Sequence, residues 1–201
     1  MLDQSATIES FLTATAAKQP TPGGGSVAAL TGALAAAAAE MVLSYSVGKK
    51  DLAAYQVELS AVQAQLKRAR QLFTTLMADD QAAFLALSAA RKLPVDAPHR
   101  ADEIAATLGV CLSVPQTIAA TGLAVLEMCD RVWEKSNKFL LSDLAVASDL
   151  AMATVRCAIH NVRVNLADVV DTSRRNEIEK SNQRMMTQSL AIIQKLSRRF
   201  P

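Results

Sequence analysis

The chain has 201 residues, 51% of them hydrophobic, 20% charged and only 4% aromatic, with a formal net charge of +2. That supplies enough apolar material for the core of one domain, and the near-neutral balance argues against partners that need a strong field, such as nucleic acid or an anionic membrane. The apolar content is mainly Ala, Leu and Val, which suits close helix packing better than a sandwich or barrel. Three cysteines, Cys111, Cys129 and Cys157, are scattered and odd in number. This is the pattern of buried thiols in a reducing cytoplasm, not of a disulfide framework or a zinc site. The first residues lack the basic start and apolar stretch of a signal peptide, so a cytoplasmic location is expected.

In chain order, Ser5 or Thr7 can cap a first helix running to about Lys18, with Ile8, Phe11, Leu12 and Thr15 on one side. Pro20 ends it. The stretch Pro-Thr-Pro-Gly-Gly-Gly-Ser at 20–26 then forms a bare-backbone loop aimed at a second helix, with Ser26 as N-cap. Such a loop presents unpaired N–H groups and the positive end of a helix dipole to a carboxylate, phosphate or carbonyl oxygen. It can equally be a tight turn that lets helices pack closely. The second helix is expected to reach Val47 and end at Gly48 in the left-handed conformation, with Lys49 and Lys50 beyond it. Residues 27–47 are long enough to span a bilayer, but Glu40 and the weak hydrophobicity of alanine favour a core helix.

A third helix is predicted from Asp51 as N-cap to about Arg91. Steps of three and four give a seam of Leu52, Tyr55, Leu59, Val62, Leu66, Ala69, Phe73, Leu76, Asp80, Ala83, Leu87 and Ala90. Asp80 breaks the seam and Asp79 lies off it. A carboxylate on an apolar seam must be paired, hydrogen-bonded or shifted in pKa, and function often justifies that cost. Residues 93–100 read as a loop, with His99 exposed or at a helix start. A fourth helix runs from about Arg100 to Glu134, with Pro115 expected to kink it. A connection through Asn137 leads to a fifth helix capped by Ser142, with Asp143 in its first turn. Its seam, Ala151, Val155, Ala158, Val162, Asn165 and Val169, carries one polar member, Asn165, with Asn161 and His160 nearby. A sixth helix starts at Ser173 or Asn176 and turns Ile178, Met185, Leu190, Ile193 and Leu196 inward; its many cations read as a solvated face. No strand pattern is present, so the fold class is all-α, a bundle of about six long helices.

The glycine loop is neither a Walker loop nor a dinucleotide fingerprint, since no Gly-Lys-Ser/Thr follows and no strand precedes it. Neither histidine has a second histidine at helical spacing. A Cys-His-Asp nucleophile set is open by residue type but has no specific spacing. The remaining combination, a glycine loop with an intrusive carboxylate and intrusive asparagines, suits a polar heterocycle handled with acid-base help from Asp80.

Several motifs occur together in one order: Thr-Ile-Glu-Ser-Phe-Leu at 7–12, Pro-Thr-Pro-Gly-Gly-Gly-Ser at 20–26, Val-Gly-Lys-Lys at 47–50, and Ala-Asp-Asp-Gln-Ala-Ala-Phe at 78–84. Leu-Pro at 93–94, Val-Pro at 114–115, Ser-Asp-Leu-Ala-Val-Ala at 142–147 and Asn-Val-Arg-Val-Asn-Leu at 161–166 complete the set. Over nearly its whole length the chain thus resembles the folate cyclodeaminase/cyclohydrolase family. The resemblance implies a homodimer of helical bundles and a folate site between helices, with no metal or redox cofactor and a tetrahydrofolate derivative as substrate. It further implies Asp80, Lys49 and Asp143 as catalytic residues, and Gly23, Gly24, Gly25, Ser26, Asn137, Ser142, Asn161 and Asn165 as substrate-binding residues. Two departures stand out: Ser136-Asn137 where the family usually has Gly-Asn, and Ala97-Pro98-His99-Arg100 where an acidic stretch is common. The implied activity is hydrolysis of 5,10-methenyltetrahydrofolate to 10-formyltetrahydrofolate. The alternatives are cyclodeamination of 5-formiminotetrahydrofolate and a non-catalytic helical folate-binding or oligomerisation protein.

Overall fold

In the computed structural model, which describes residues 7–199, six α-helices and three short 3-10 turns follow one another, and no strand occurs among the described residues. Helix α1 spans Ile8–Ala16 and is capped by Thr7, whose hydroxyl accepts from Ser10 N at 3.1 Å. Ser5, the other candidate cap, lies outside the described residues. Phe11 is the residue α1 buries, whereas Ile8 and Leu12, expected on the same inward face, are exposed.

Helix α2, Gly24–Ser44, is the central element, lying against both α3 (Gln56–Arg91) and α5 (Leu141–Leu166). It is long and apolar enough by composition to cross a bilayer, yet Ala28, Ala29, Ala35, Ala36, Ala39, Val42 and Leu43 are wholly buried within the bundle. Small side chains make this possible. At Gly32 a Cβ would stand 2.5 Å from Phe73 Cζ, so the ring of α3 rests directly on the α2 backbone. The helix ends at Ser44, a turn earlier than expected. Gly48 still takes the left-handed conformation at φ 84°, and its N–H donates to Gln56 Oε1 at 2.6 Å.

A 3-10 turn, Lys50–Tyr55, precedes α3, so Asp51 is not its N-cap. The α3 seam is buried at Leu59, Val62, Leu66, Ala69, Phe73, Leu76, Ala83, Leu87 and Ala90, while Tyr55 at its start is exposed. Asp79 is exposed and Asp80 half-buried, as the periodicity requires. Helix α4, Arg100–Val132, begins after the exposed His99 and continues through Pro115; two 3-10 turns, Trp133–Lys135 and Lys138–Leu140, lead to α5. Ser142 lies inside α5 and makes no cap, because the helix starts one residue before it.

Helix α6, Thr172–Ser197, is capped by Asp171, which accepts from Ser173 N and Arg174 N. It packs on α4 and α5 through Asn182, Ser189 and Leu196; Leu190, expected inward, is exposed. Its cations are not all free in solvent. Lys195 reaches Asp130 at 2.7 Å and Glu179 pairs with Arg163, contacts worth little singly but enough to orient a polar helix.

The core falls into two clusters. The larger ends at Leu76, Met77, Val114 and Ile159, and the smaller begins at Ala83, Cys111 and Val162. Asp80 stands at the division between them.

Candidate functional site

The site is built on the first turn of α2. Gly23 is the N-cap residue in extended conformation with no side-chain cap, so the N–H groups of Gly24, Gly25 and Ser26 have no partner within the helix. Asp80 of α3 comes to them. Its carboxylate lies so close to the bare Cα of Gly25 that a Cβ there would stand 1.9 Å from Oδ1 and 2.5 Å from Cγ. Ser26 is not the N-cap. It lies within the first turn, fully buried, and its hydroxyl donates to Asp80 Oδ2 at 2.8 Å with Met77 O at 3.2 Å. The missing Cβ at Gly25 is therefore what lets a carboxylate reach a helix N-terminus.

From the opposite wall α5 contributes Asn161 and Asn165. Asn161 Nδ2 donates to Cys157 O at 2.8 Å, and its Oδ1 faces Gly24, 3.2 Å from where a Cβ would be. Asn165 Nδ2 donates to Cys111 O at 2.9 Å and to Asn161 O at 3.0 Å. These residues, with Pro20, Thr21, Gly23, Ala83, Phe84, Val114 and Pro115, enclose a cavity of about 210 Å³. Among the described residues Asp80 is its one charged side chain, and no Lys, Arg or His lines it. Burial pushes the Asp80 carboxyl above the usual carboxylate range, while hydrogen bonds from the Ser26 hydroxyl and backbone pull it part of the way back. The result is a pocket rich in acceptors, with a base of raised proton affinity. It matches a ligand that brings N–H donors or a positive charge.

Not every residue singled out from the sequence is here. Asn137 caps the 3-10 turn Lys138–Leu140 by accepting from Phe139 N, and its own N–H donates to Ser46 Oγ at 2.9 Å. Lys49 follows Ser46 and lies 3.9 Å from Asp51; Ser142 and Asp143 are in the first turn of α5. All four occupy the end of the bundle where α2 finishes, about 30 Å from the glycine loop at 1.5 Å per residue. Within one chain they do not join Asp80.

Conversely, Cys111, Val114, Phe84 and Val164 line the cavity without having been singled out as site residues. Cys111 and Pro115 left a readable trace, since a proline within a helix frees the carbonyl four residues earlier; Phe84 and Val164 left none. Cys111 donates from its thiol to Ala83 O at 3.3 Å, and burial and the Asp80 charge raise its pKa. His99 and His160 are exposed and line no part of the cavity, so the Cys-His-Asp nucleophile set is not assembled. Cys157 is exposed rather than buried, while the enclosed Cys129 thiol is pushed up to about 12. Among the described residues no group of three or more His, Cys, Asp or Glu is placed to hold a metal ion.

The chain is similar to known proteins over most of its length. A formiminotransferase-cyclodeaminase family model matches residues 7–184. The methenyltetrahydrofolate cyclohydrolase of Methylorubrum extorquens is 32% identical over 94% of this chain and 93% of its own length. The formimidoyltransferase-cyclodeaminase of Rattus norvegicus is 29% identical over 96% of this chain, which spans 37% of that longer protein. The crystal structure of formiminotetrahydrofolate cyclodeaminase from Thermotoga maritima superposes with a TM-score of 0.90 at 26% identity, covering 97% of this chain and 96% of that one. With the match running from α1 into α6, and so through every element that lines the cavity, the chain belongs to the formiminotransferase-cyclodeaminase family.

Proposed function

We propose that this chain hydrolyses 5,10-methenyltetrahydrofolate to 10-formyltetrahydrofolate. The observation that carries the reading is Asp80, a lone carboxylate in a pocket that no cationic side chain lines among the described residues. The methenyl carbon sits in a cationic N5–C–N10 amidinium, which such a pocket stabilises. Asp80 takes a proton from water as its oxygen bonds to that carbon. The C–N5 bond of the resulting adduct then breaks, N5 gains a proton and the adduct hydroxyl loses one to become the formyl oxygen. One proton is released in all. Family relatives support this substrate class. They equally support a second reading, in which N10 attacks the formimino carbon of 5-formiminotetrahydrofolate and Asp80 helps ammonia leave.

The two readings separate in one assay. Incubation with each folate should give loss of the methenyl absorbance with the first and no ammonia with the second. Ammonia release with growth of that absorbance would select cyclodeamination, and turnover of neither would remove the enzyme reading.

We also propose a homodimer. Val27, Leu34, Met41 and Tyr45 form an exposed apolar stripe along α2, with half-buried Thr31 and Ala38 completing the steps of three and four. A two-fold, antiparallel contact along this stripe would bring Lys49, Asn137 and Asp143 of a second copy toward the glycine loop, joining the residues that one chain keeps apart. Leu34→Glu is expected to shift sedimentation from dimer to monomer and to lower activity at least tenfold. A wild-type protein that sediments as an active monomer would overturn the dimer.

A further inference from the structure

Pro115 lies in the interior of α4 and lines the cavity. Having no N–H, it leaves the Cys111 carbonyl, four residues earlier, without its helix partner. Asn165 of α5 supplies the missing donor at 2.9 Å, and the second hydrogen of the same amide goes to Asn161 O at 3.0 Å. Both donors of the carboxamide are thus committed to backbone. Its Oδ1 receives no hydrogen bond from the described residues. Nor is it sealed off, because the only buried side-chain polar atom without a partner among those residues is Asn182 Oδ1.

We propose that Pro115 is a positioning residue for substrate binding: by freeing the Cys111 carbonyl it fixes the Asn165 carboxamide with Oδ1 presented to the cavity, where it accepts from an N–H edge of the ligand. An alanine at 115 would return an N–H to the helix ladder. That N–H competes for Cys111 O and lets the carboxamide turn, presenting donors to a ligand that also brings donors. The pocket's selectivity for a donor-rich heterocycle would then depend on a helix defect one element away. The N–H edge of a reduced pterin is the donor implied by the folate reading above, on which this assignment of the ligand rests.

The test is a double-mutant cycle on the full chain with the folate that the wild type turns over. Pro115→Ala is expected to raise KM about three- to tenfold, the usual worth of one hydrogen bond, with kcat within twofold. Asn165→Ala is expected to raise KM at least as much. In the Asn165→Ala background, adding Pro115→Ala should change KM less than twofold. Independent, multiplicative effects would overturn the proposal, because they would mean that Pro115 acts by shaping the pocket and not through Asn165. So would an unchanged KM in Pro115→Ala. A second readout needs neither turnover nor the Asn165 variant: in 15N-labelled protein, Asn165 carboxamide hydrogens should exchange slowly in the wild type and at least tenfold faster in Pro115→Ala. Equal exchange rates also overturn the positioning role. If the wild type turns over neither folate, the functional reading fails, while the exchange measurement still decides whether Pro115 holds the carboxamide.

Discussion

Asp80→Asn should give a folded protein, no less stable than the wild type, whose kcat/KM is lower by about 10²- to 10⁴-fold, the usual contribution of a positioned general base. Asparagine keeps the shape of the side chain and an oxygen that can accept from the Ser26 hydroxyl, so packing changes little. The stability prediction follows from proton linkage. Burial raises the folded-state pKa of this carboxyl, so the native state holds the proton more tightly than the unfolded chain does. Its destabilising contribution is absent below the unfolded value of about 3.9 and grows as pH rises through the raised folded value. Above that it is constant, so beyond the raised value it is fully present in the wild type and missing in the variant. Thermal melts should therefore show Asp80→Asn gaining on the wild type as pH is raised across this window. In the same window wild-type kcat/KM should climb, on a limb displaced above the ordinary carboxylate range, and the variant should lack that limb. Turnover within tenfold of wild type in a folded Asp80→Asn protein would show that Asp80 is not the general base.

Gly25→Ala should lower kcat/KM by at least about 10²-fold with little change in melting temperature, a separation that few packing mutations produce. The new Cβ would lie 1.9 Å from Asp80 Oδ1, well inside contact distance, so the carboxylate must move by more than 1 Å. A misplacement of that size suffices for the rate loss. Because the obstructing atoms end a side chain, the shift costs mainly the Ser26 hydrogen bond, about 1 kcal/mol, against a gain of up to about 1 kcal/mol in helix propensity. The neighbouring glycines make the comparison quantitative. At Gly24 a Cβ would meet Asn161 Oδ1 at 3.2 Å, and at Gly23 it would meet nothing within 4 Å. Activities of the three alanine variants should accordingly rank 23, 24, 25 from near wild type to nearly inactive. Wild-type rates in Gly25→Ala would show that Asp80 need not sit against bare backbone.

Together these variants probe one arrangement, a carboxylate set on a helix N-terminus in a cavity that Asn161 and Asn165 also line. The same contact explains two sequence features that looked independent, the glycine loop at 23–25 and the seam defect at Asp80. Each is costly without the other. A carboxylate between two apolar clusters needs donors, and exposed first-turn N–H groups need an acceptor.

How much of this was legible in the chain depends on the range of the interaction involved. The all-helical fold, the α3 seam, the left-handed Gly48 and the out-of-place carboxylate follow from periodicity and backbone sterics, which act within a few residues and can be read along one helix. Caps were less secure. Ser26 and Ser142 have the chemistry of N-caps, but the helices begin before them, and the Ser26 hydroxyl bonds Asp80 of α3 in place of a local cap worth about 1 kcal/mol. What the sequence by itself could not determine is which end of the bundle each residue reaches. Lys49, Asn137, Ser142 and Asp143 share the residue types and motif character of the pocket residues, yet they lie at the far end of α2, because the direction of each long helix decides position and nothing local reports it. The sequence alone therefore determined the fold class, the glycine loop and the misplaced Asp80. Tertiary structure alone decided that these meet, that Asn165 supplies the donor Pro115 lacks, and that the remaining candidates stand a helix length away. Those pairings lie 54 or more residues apart in the chain, and only the packing of helices against one another brings them within hydrogen-bond reach.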